Sequence, residues 1–474
     1  MGGFQKEKLD FLMILNRRSL TRLILHCMWD NDNAYVEEYA HKAASRLPNL
    51  RFVSQYIHQG NDNGIPNIYQ TLPSNLPSGL HLTKLDLSWA NYTGELENIQ
   101  QLIRKSQYLI SLTLNGSTYP YYATMLETIY EHCPVLREFF YTSSIRKVAI
   151  TEYTPPPSSS TANSGLRKLV IRPPITSKNI YYHRTHAIDE QLKLILRRSH
   201  TTLETLDLNF GLFDPTGGYT LLDTLANLGA PNLQCLVIDA SLCYPGVRSR
   251  QISDMISACP FLQVVDITGN FFWHKRIFDT LANNTTELRK LSIRVNDTSP
   301  PQQQYQDLEE DTVIPAAFLL ATVFDKALYL REFSFGHALD HGFESTLAVD
   351  IASHLYRSRS IRQIDYGKVI IRSSETLVSI LEQFTRAPIH KVRLRVEFEL
   401  TKEEFEALAA VKTLAHLELK SCQEGLGEST IHSLFEEWQT QRSLFVRIER
   451  IDSFAMWEGY KLDKTVYVKC VRQG

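Results

Sequence analysis

No two of the seven cysteines form a C-x-x-C pair, and their number is odd. That excludes a zinc ribbon and argues against a disulfide framework. Reduced thiols in cytosol or nucleus are expected. Long apolar runs are missing as well. The cluster "FLMIL" at 11–15 is shorter than a signal-peptide core and far short of a membrane span. Lys6 stands where a myristoylation signal wants Ser or Thr. Charge of one sign is also lacking, because the 474 residues carry a net charge of −2. No global field draws the chain to nucleic acid or to an anionic membrane, and neither partner is expected. Hydrophobic content of 43% and charged content of 22% are ordinary for a folded protein.

Catalytic patterns are absent too. There is no H-E-x-x-H, G-x-S-x-G, P-loop or G-x-G-x-x-G. "DNDNAYVEE" (30–38) starts like a calcium loop at Asp30 and Asp32. Ala34 and Tyr35 then occupy the places of a ligand and the turn glycine, so the match fails. Sequons at Asn91, Asn115, Asn283, Asn284 and Asn296 read as chance matches without a secretory signal. The reading is non-enzymatic, with no catalytic residues, cofactor or metal.

What is present is a repeat. L-x-x-L-x-L, often with other apolar residues, begins at Leu20, Leu82, Leu109, Leu166, Leu203, Leu233, Leu262 and Leu288. It continues at Leu330, Ile361, Ile389 and Leu414, with weaker copies at Leu136 and Leu50, the latter placing Gln55 in an apolar slot. From Leu203 the steps are 30, 29 and 26, and from Leu82 they are 27 and 27. This is the long end of the leucine-rich repeat range, with one strand and one helix per unit.

The helix half shows as apolar stripes at i, i+3, i+4 and i+7. They are Val36, Tyr39, Ala40, Ala43; Leu126, Ile129, Tyr130, Cys133; Ile252, Met255, Ile256, Cys259; and Leu377, Ile380, Leu381, Phe384. The expected fold is an α/β leucine-rich repeat solenoid, a horseshoe with a parallel sheet on the concave face and helices on the convex face. Residues 1–19 are expected to cap it, 20–443 to form about fourteen units, and 444–474 to cap the other end. Polar, proline-bearing stretches near 154–165, 172–183 and 297–312 are expected as loop insertions.

"HCPVL" (132–136) juxtaposes a histidine and a cysteine, as a thiol site or half a metal site would. "RLPNL" (46–50), "GAPNL" (229–233) and "ACPFL" (258–262) share its register. The slot before proline holds Leu47, Cys133, Ala230 or Cys259, a mixture that suits packing rather than chemistry. Proline there ends the helix, because the residue before it disfavours α geometry. Cys133 and Cys259 are expected to be buried and inert, and His132, off the stripe, to be solvated.

Strands such as "LTKLDLS" (82–88) and "LETLDLN" (203–209), with the "CPxL" lead at 133–136 and 259–262, resemble the repeat region of fungal F-box/LRR proteins. These belong to the ribonuclease-inhibitor-like (RNI-like) LRR superfamily. The resemblance spans roughly residues 20 to 443. It implies the binding half of a ubiquitin ligase adaptor, whose repeats hold the substrate. In that family an F-box docks the cullin-ligase adaptor. With the first strand starting at Leu20, no F-box is expected within this chain, so such docking requires one outside it. The alternative is an RNI-like regulator or scaffold acting on another enzyme such as a GTPase.

Partner-binding candidates lie on the expected concave face. Lys391, Arg393 and Arg395 alternate with Val392 and Leu394, and Lys420 on the next strand extends them. They suit an anion or acidic peptide, although such charge runs are commonly just solvated. Asp86, Asp207, Asp266 and Asp365 recur at the middle outward position, as an acidic track or simply as the "LDL" consensus. Trp89 and Phe140 are the aromatic candidates, because such side chains dominate interface hot spots. The protein is expected to be intracellular, in cytoplasm or nucleus.

Overall fold

A computed structural model describes residues 22–27, 52–57, 82–87, 96–115, 128–142, 165–172, 186–209, 215–239, 249–269, 275–295, 316–337, 346–398, 400–421, 444–451 and 462–470. The chain divides into two compact units, Met1–Asn232 and Leu233–Gly474. The expected segment 1–19 and the expected insertions lie outside the described residues, apart from Gly165 and Arg172.

In the first unit the described elements run β1 (Arg22–Cys27), β2 (Phe52–Ile57), β3 (Lys84–Leu87), α1 (Leu96–Lys105), β4 (Ser111–Asn115), β5 (Glu138–Thr142), β6 (Lys168–Arg172), α2 (His186–Ser199), β7 (Thr205–Asn209) and α3 (Pro215–Leu228). Each strand pairs in parallel with the next in chain order. The register is that of the sequence motif. Leu85 pairs with Leu112, Leu112 with Phe139 and Leu169 with Leu206. Even the weakest copy joins, since Val53 of β2 pairs with Leu23 and with Leu85.

The second unit runs β8 (Cys235–Asp239), α4 (Ser249–Ser257), β9 (Val264–Thr268), α5 (Lys275–Asn284), β10 (Lys290–Val295), α6 (Ala316–Lys326), β11 (Glu332–His337), α7 (Thr346–Ala352), β12 (Gln363–Ile371), α8 (Ser374–Phe384), β13 (Lys391–Val396), α9 (Lys402–Ala410), β14 (His416–Ser421), β15 (Leu444–Ile451) and β16 (Leu462–Cys470). Strands β8 to β15 again pair in parallel and in chain order. Residues 444–474, expected as a cap, hold β15, parallel to β14, and β16, antiparallel to β15. Val446 and Ile448 take the motif slots beside Leu417 and Leu419. This copy escapes a leucine search because position 443 is serine.

Strand after strand with helices between them, in motif register, is the α/β leucine-rich repeat fold. Its core lies between the inward strand side chains and the helix stripes. Leu206, Leu236, Leu291 and Val392 are 0% exposed, as are all four residues of the stripes from Ile252 and from Leu377. Full burial of such a side chain contributes roughly 1.5–3 kcal/mol. A single unit cannot bury its faces alone, so neighbouring helices stack: α2 on α3 in the first unit, and α4 through α9 in succession in the second.

The helix-to-strand turn behaves as its sequence requires. Leu136 N–H donates to the Cys133 carbonyl at 3.2 Å and Leu109 N–H to that of Ser106 at 3.0 Å, closing equivalent turns. Cys133 and Cys259 are completely buried, as are Ser106 and Ala230 at corresponding places. His132 keeps 39% of its side chain exposed, with its Nε2 3.8 Å from Glu131 Oε2.

Candidate functional site

Because strand side chains alternate, the residues between the buried motif positions stand on the sheet face opposite the helices. In-register pairing lines them up in columns across neighbouring strands. In the second unit the middle column reads Val237, Asp266, Ser292, Ser334, Asp365, Arg393, Glu418 and Arg447. From β12 to β15 it alternates acid and base.

The carboxylates and cations of this face engage one another. Lys391 Nζ lies 2.7 Å from Glu418 Oε1, and Arg393 Nε lies 3.2 Å from Glu418 Oε2. Arg393 Nη1 also reaches Asp365 Oδ2 at 3.5 Å. The other oxygen of Asp365 accepts the Gly367 N–H at 2.8 Å. Partial burial works to raise the pKa of Glu418. The hydrogen bond from Lys391 and the charges of Lys391, Arg393 and Arg447 outweigh it, and the carboxyl is held below the usual glutamate range. Farther along, Arg294 Nη2 lies 2.8 Å from Asp266 Oδ2, and Lys290 Nζ 3.0 Å from Glu332 Oε2. Pairs exposed like these contribute roughly 0–1 kcal/mol each. Their consequence is that charge is laid out in fixed columns.

The sequence candidates fall unevenly on this surface. Lys391, Arg393 and Lys420 are half-buried on it. Arg395 shares their side by alternation, but only 4% of it is exposed. Its Nη2 donates to Glu397 Oε1 at 3.1 Å, and Glu397 also faces Arg372 at 3.5 Å. A bulge in β12 explains the change of surroundings. The register against β13 shifts after Tyr366, so that Arg395 pairs with the buried Ile370. Gly336 on β11 lets β12 pass close by, because a Cβ there would run into the Lys368 side chain.

In the first unit Phe140 is half-buried on β5, beside Val170 of β6. Lys168 Nζ sits 5.0 Å from the centre of its ring, a cation–π contact. Trp89 and the side chain of Asp86 lie outside the described residues. Asp207 forms a forked pair with Arg172, whose Nε donates to Oδ2 at 2.9 Å. The described aspartates of the repeating "LDL" position, Asp207, Asp266 and Asp365, each face an arginine of this same chain. Sequence reasoning named these aspartates but did not single out Arg172 or Arg294, because strand order alone does not tell which side chains reach across to each other.

Among the described residues, no three His, Cys, Asp or Glu side chains gather as metal ligands would. Nor is any helix among them long and apolar enough to cross a membrane.

No protein-family model matches the chain, and no curated protein matches it. Among solved structures it is similar to a chain of the yeast Rad7–Elc1 complex, at 15% identity and a TM-score of 0.41, over 73% of this chain and 79% of that one. It is also similar to the leucine-rich repeat-containing protein LegL7 of Legionella pneumophila, at 14% identity and a TM-score of 0.36, over 76% and 91%. A third likeness is to an internalin, InlF, of Listeria monocytogenes, at 11% identity and a TM-score of 0.31, over 87% and 88%.

Proposed function

We propose that this chain is a non-catalytic, intracellular protein-binding module that holds a partner against the sheet face opposite its helices. The observation that carries this is the in-register display of side chains on that face. Parallel repeats place equivalent residues on neighbouring strands about 4.8 Å apart. A partner therefore meets ordered columns of charge and an aromatic group. Phe140 with Lys168, and the set Lys391, Arg393 and Lys420, are the proposed contacts, with Arg395, bonded to Glu397, next to them on β13. Trp89 belongs to the same proposal by its place after the third strand. Aromatic anchors and fixed arginines are the residue types that concentrate binding energy at interfaces.

The finer reading is substrate recognition for an F-box/LRR-type ubiquitin ligase, supported by the "CPxL" lead and the "LDL" strands of the sequence. Affinity capture from a cell extract followed by mass spectrometry tests it. Recovery of a cullin-ligase adaptor, directly or through an F-box protein, is the expected result. Captures that never contain one would end the ubiquitin reading and leave the binding module standing.

A further inference from the structure

A second surface of the second unit carries charge that is not neutralised. The residue after the first buried motif position is Arg289, Arg331, Arg362 and then His390 in four successive repeats. Their backbones are joined directly. Arg331 N–H donates to Arg289 O at 2.8 Å, Arg362 N–H to Arg331 O at 2.8 Å, and His390 N–H to Arg362 O at 2.7 Å. Neighbours in this column thus stand one strand spacing apart, about 4.8 Å.

Among the described residues, the guanidinium groups of Arg289, Arg331 and Arg359 meet neither a carboxylate nor a hydrogen-bond acceptor. Arg362 Nη1 donates only to backbone carbonyls, those of Arg359 at 2.9 Å and Ile361 at 3.1 Å. The nearby carboxylate Glu332 is taken by Lys290 instead. Glu287, two residues before Arg289, is half-buried and pairs with none of these arginines. The equivalent column of the first unit is different, because there Arg167 meets Glu204 at 3.2 Å. Beside the arginines stand two exposed apolar side chains, Leu328 at 73% and Tyr329 at 53%, immediately before Leu330 and Arg331.

Like charges at this spacing repel, and nothing within the described chain relieves them. Planar guanidinium forks suit carboxylates, which they grip with two parallel hydrogen bonds. An extended peptide presents one face of side chains roughly every 6.8 Å, so two or three acidic residues span such a column. Leu328 and Tyr329 then offer cover to an apolar side chain of the same peptide. We infer that the rim built by Arg289, Arg331, Arg362 and Arg359, with Leu328 and Tyr329, docks an acidic polypeptide segment that carries an apolar residue among its carboxylates. Nucleic acid fits less well, since the chain as a whole has a net charge of −2 and offers no broad cationic field. This inference rests on the reading of the chain as a protein-binding module but uses a different surface from the sheet face.

The test is fluorescence anisotropy with the full chain and a labelled short Glu/Ser peptide containing one leucine. An RNA oligonucleotide of equal charge serves as the competing probe. The peptide is expected to bind in a salt-dependent way. The triple variant Arg289→Gln, Arg331→Gln, Arg362→Gln should weaken binding by at least about tenfold, as loss of several charge pairs does. Leu328→Ser should weaken the leucine-containing peptide and spare its all-polar counterpart. The control variant Lys275→Gln, exposed on α5 and part of neither surface, should bind like the parent. Circular dichroism and melting should be nearly unchanged in the triple variant, because the only side-chain hydrogen bonds it loses are the local ones from Arg362 to the Arg359 and Ile361 carbonyls. The inference is overturned if the peptide does not bind, if RNA binds more tightly, or if the triple variant binds undiminished. Loss of binding in the sheet-face variant Lys391→Gln, Arg393→Gln, with the triple variant undiminished, would overturn it too and would move the acidic contact to the other surface.

Discussion

Cys133 shows how much of a side chain's character its place in the repeat decides. Its thiol faces the carbonyls of Ile103 and Ser106, each at 3.8 Å, from within the core. Burial pushes its pKa up to about 12, so the thiolate needed for reaction is scarce at neutral pH. Site-resolved labelling with a thiol reagent should modify the half-exposed Cys235 well before Cys133 or Cys259. Unfolding should abolish the difference, and fast native labelling of Cys133 would contradict its packing. Glu404 makes the complementary case for a carboxylate. It is 1% exposed and accepts the Thr401 N–H at 2.5 Å and the Thr401 hydroxyl at 2.6 Å, at the start of α9. Burial alone would raise its pKa. Hydrogen bonds from Ser374 and Thr401 prevail and hold it below the ordinary range. A folded-state pKa that is depressed contributes stability above the unfolded value, about 4.3, and that stability is lost as pH falls through the folded one. Glu404→Gln keeps an acceptor for Thr401 but loses the charge, so it should cost on the order of 1 kcal/mol at pH 7, the difference between a charge-assisted hydrogen bond and a neutral one. The gap to the parent should close on acidification, and denaturant melts across pH would read it. A gap that widens in acid would reverse the assignment.

At the scale of the element, register was legible because apolar slots repeat at fixed spacing within each copy. Position by position, the copies that begin at Leu82, Leu109 and Leu136 pair residue for residue in β3, β4 and β5. Leu206→Ala or Leu236→Ala should each cost about 2–5 kcal/mol in denaturant unfolding, since both side chains are 0% exposed. Losses below about 0.5 kcal/mol, typical of surface positions, would mean that these strands face the other way. Charge was less legible. Alternation told which side Arg395 takes, but its burial follows from a bulge in β12 that no pattern in "QIDYGKVII" announces. The arginine column was in plain view as "LRKL", "LREF" and "IRQI". Its meaning depends on which carboxylates lie within reach, and that is a property of strand neighbours rather than of spacing along the chain. The parallel strand β15 was hidden by a single serine at position 443.

For the whole molecule, the central claim is that the sheet face opposite the helices is where a protein partner sits. Ordered columns within each unit, holding Phe140 in the first and Arg393 and Glu418 in the second, are the physical basis for it. The most direct measurement is site-specific photocrosslinking in cell extract. A photoreactive side chain is placed at Phe140 or Arg393 on the sheet face, and at Asp223 or Thr322 on the outer side of helices α3 and α6. The account predicts discrete crosslinked protein bands from the sheet-face positions that are absent from the helix positions. Bands from the helix positions alone, or none from the sheet face under conditions where the partner is captured, would contradict it.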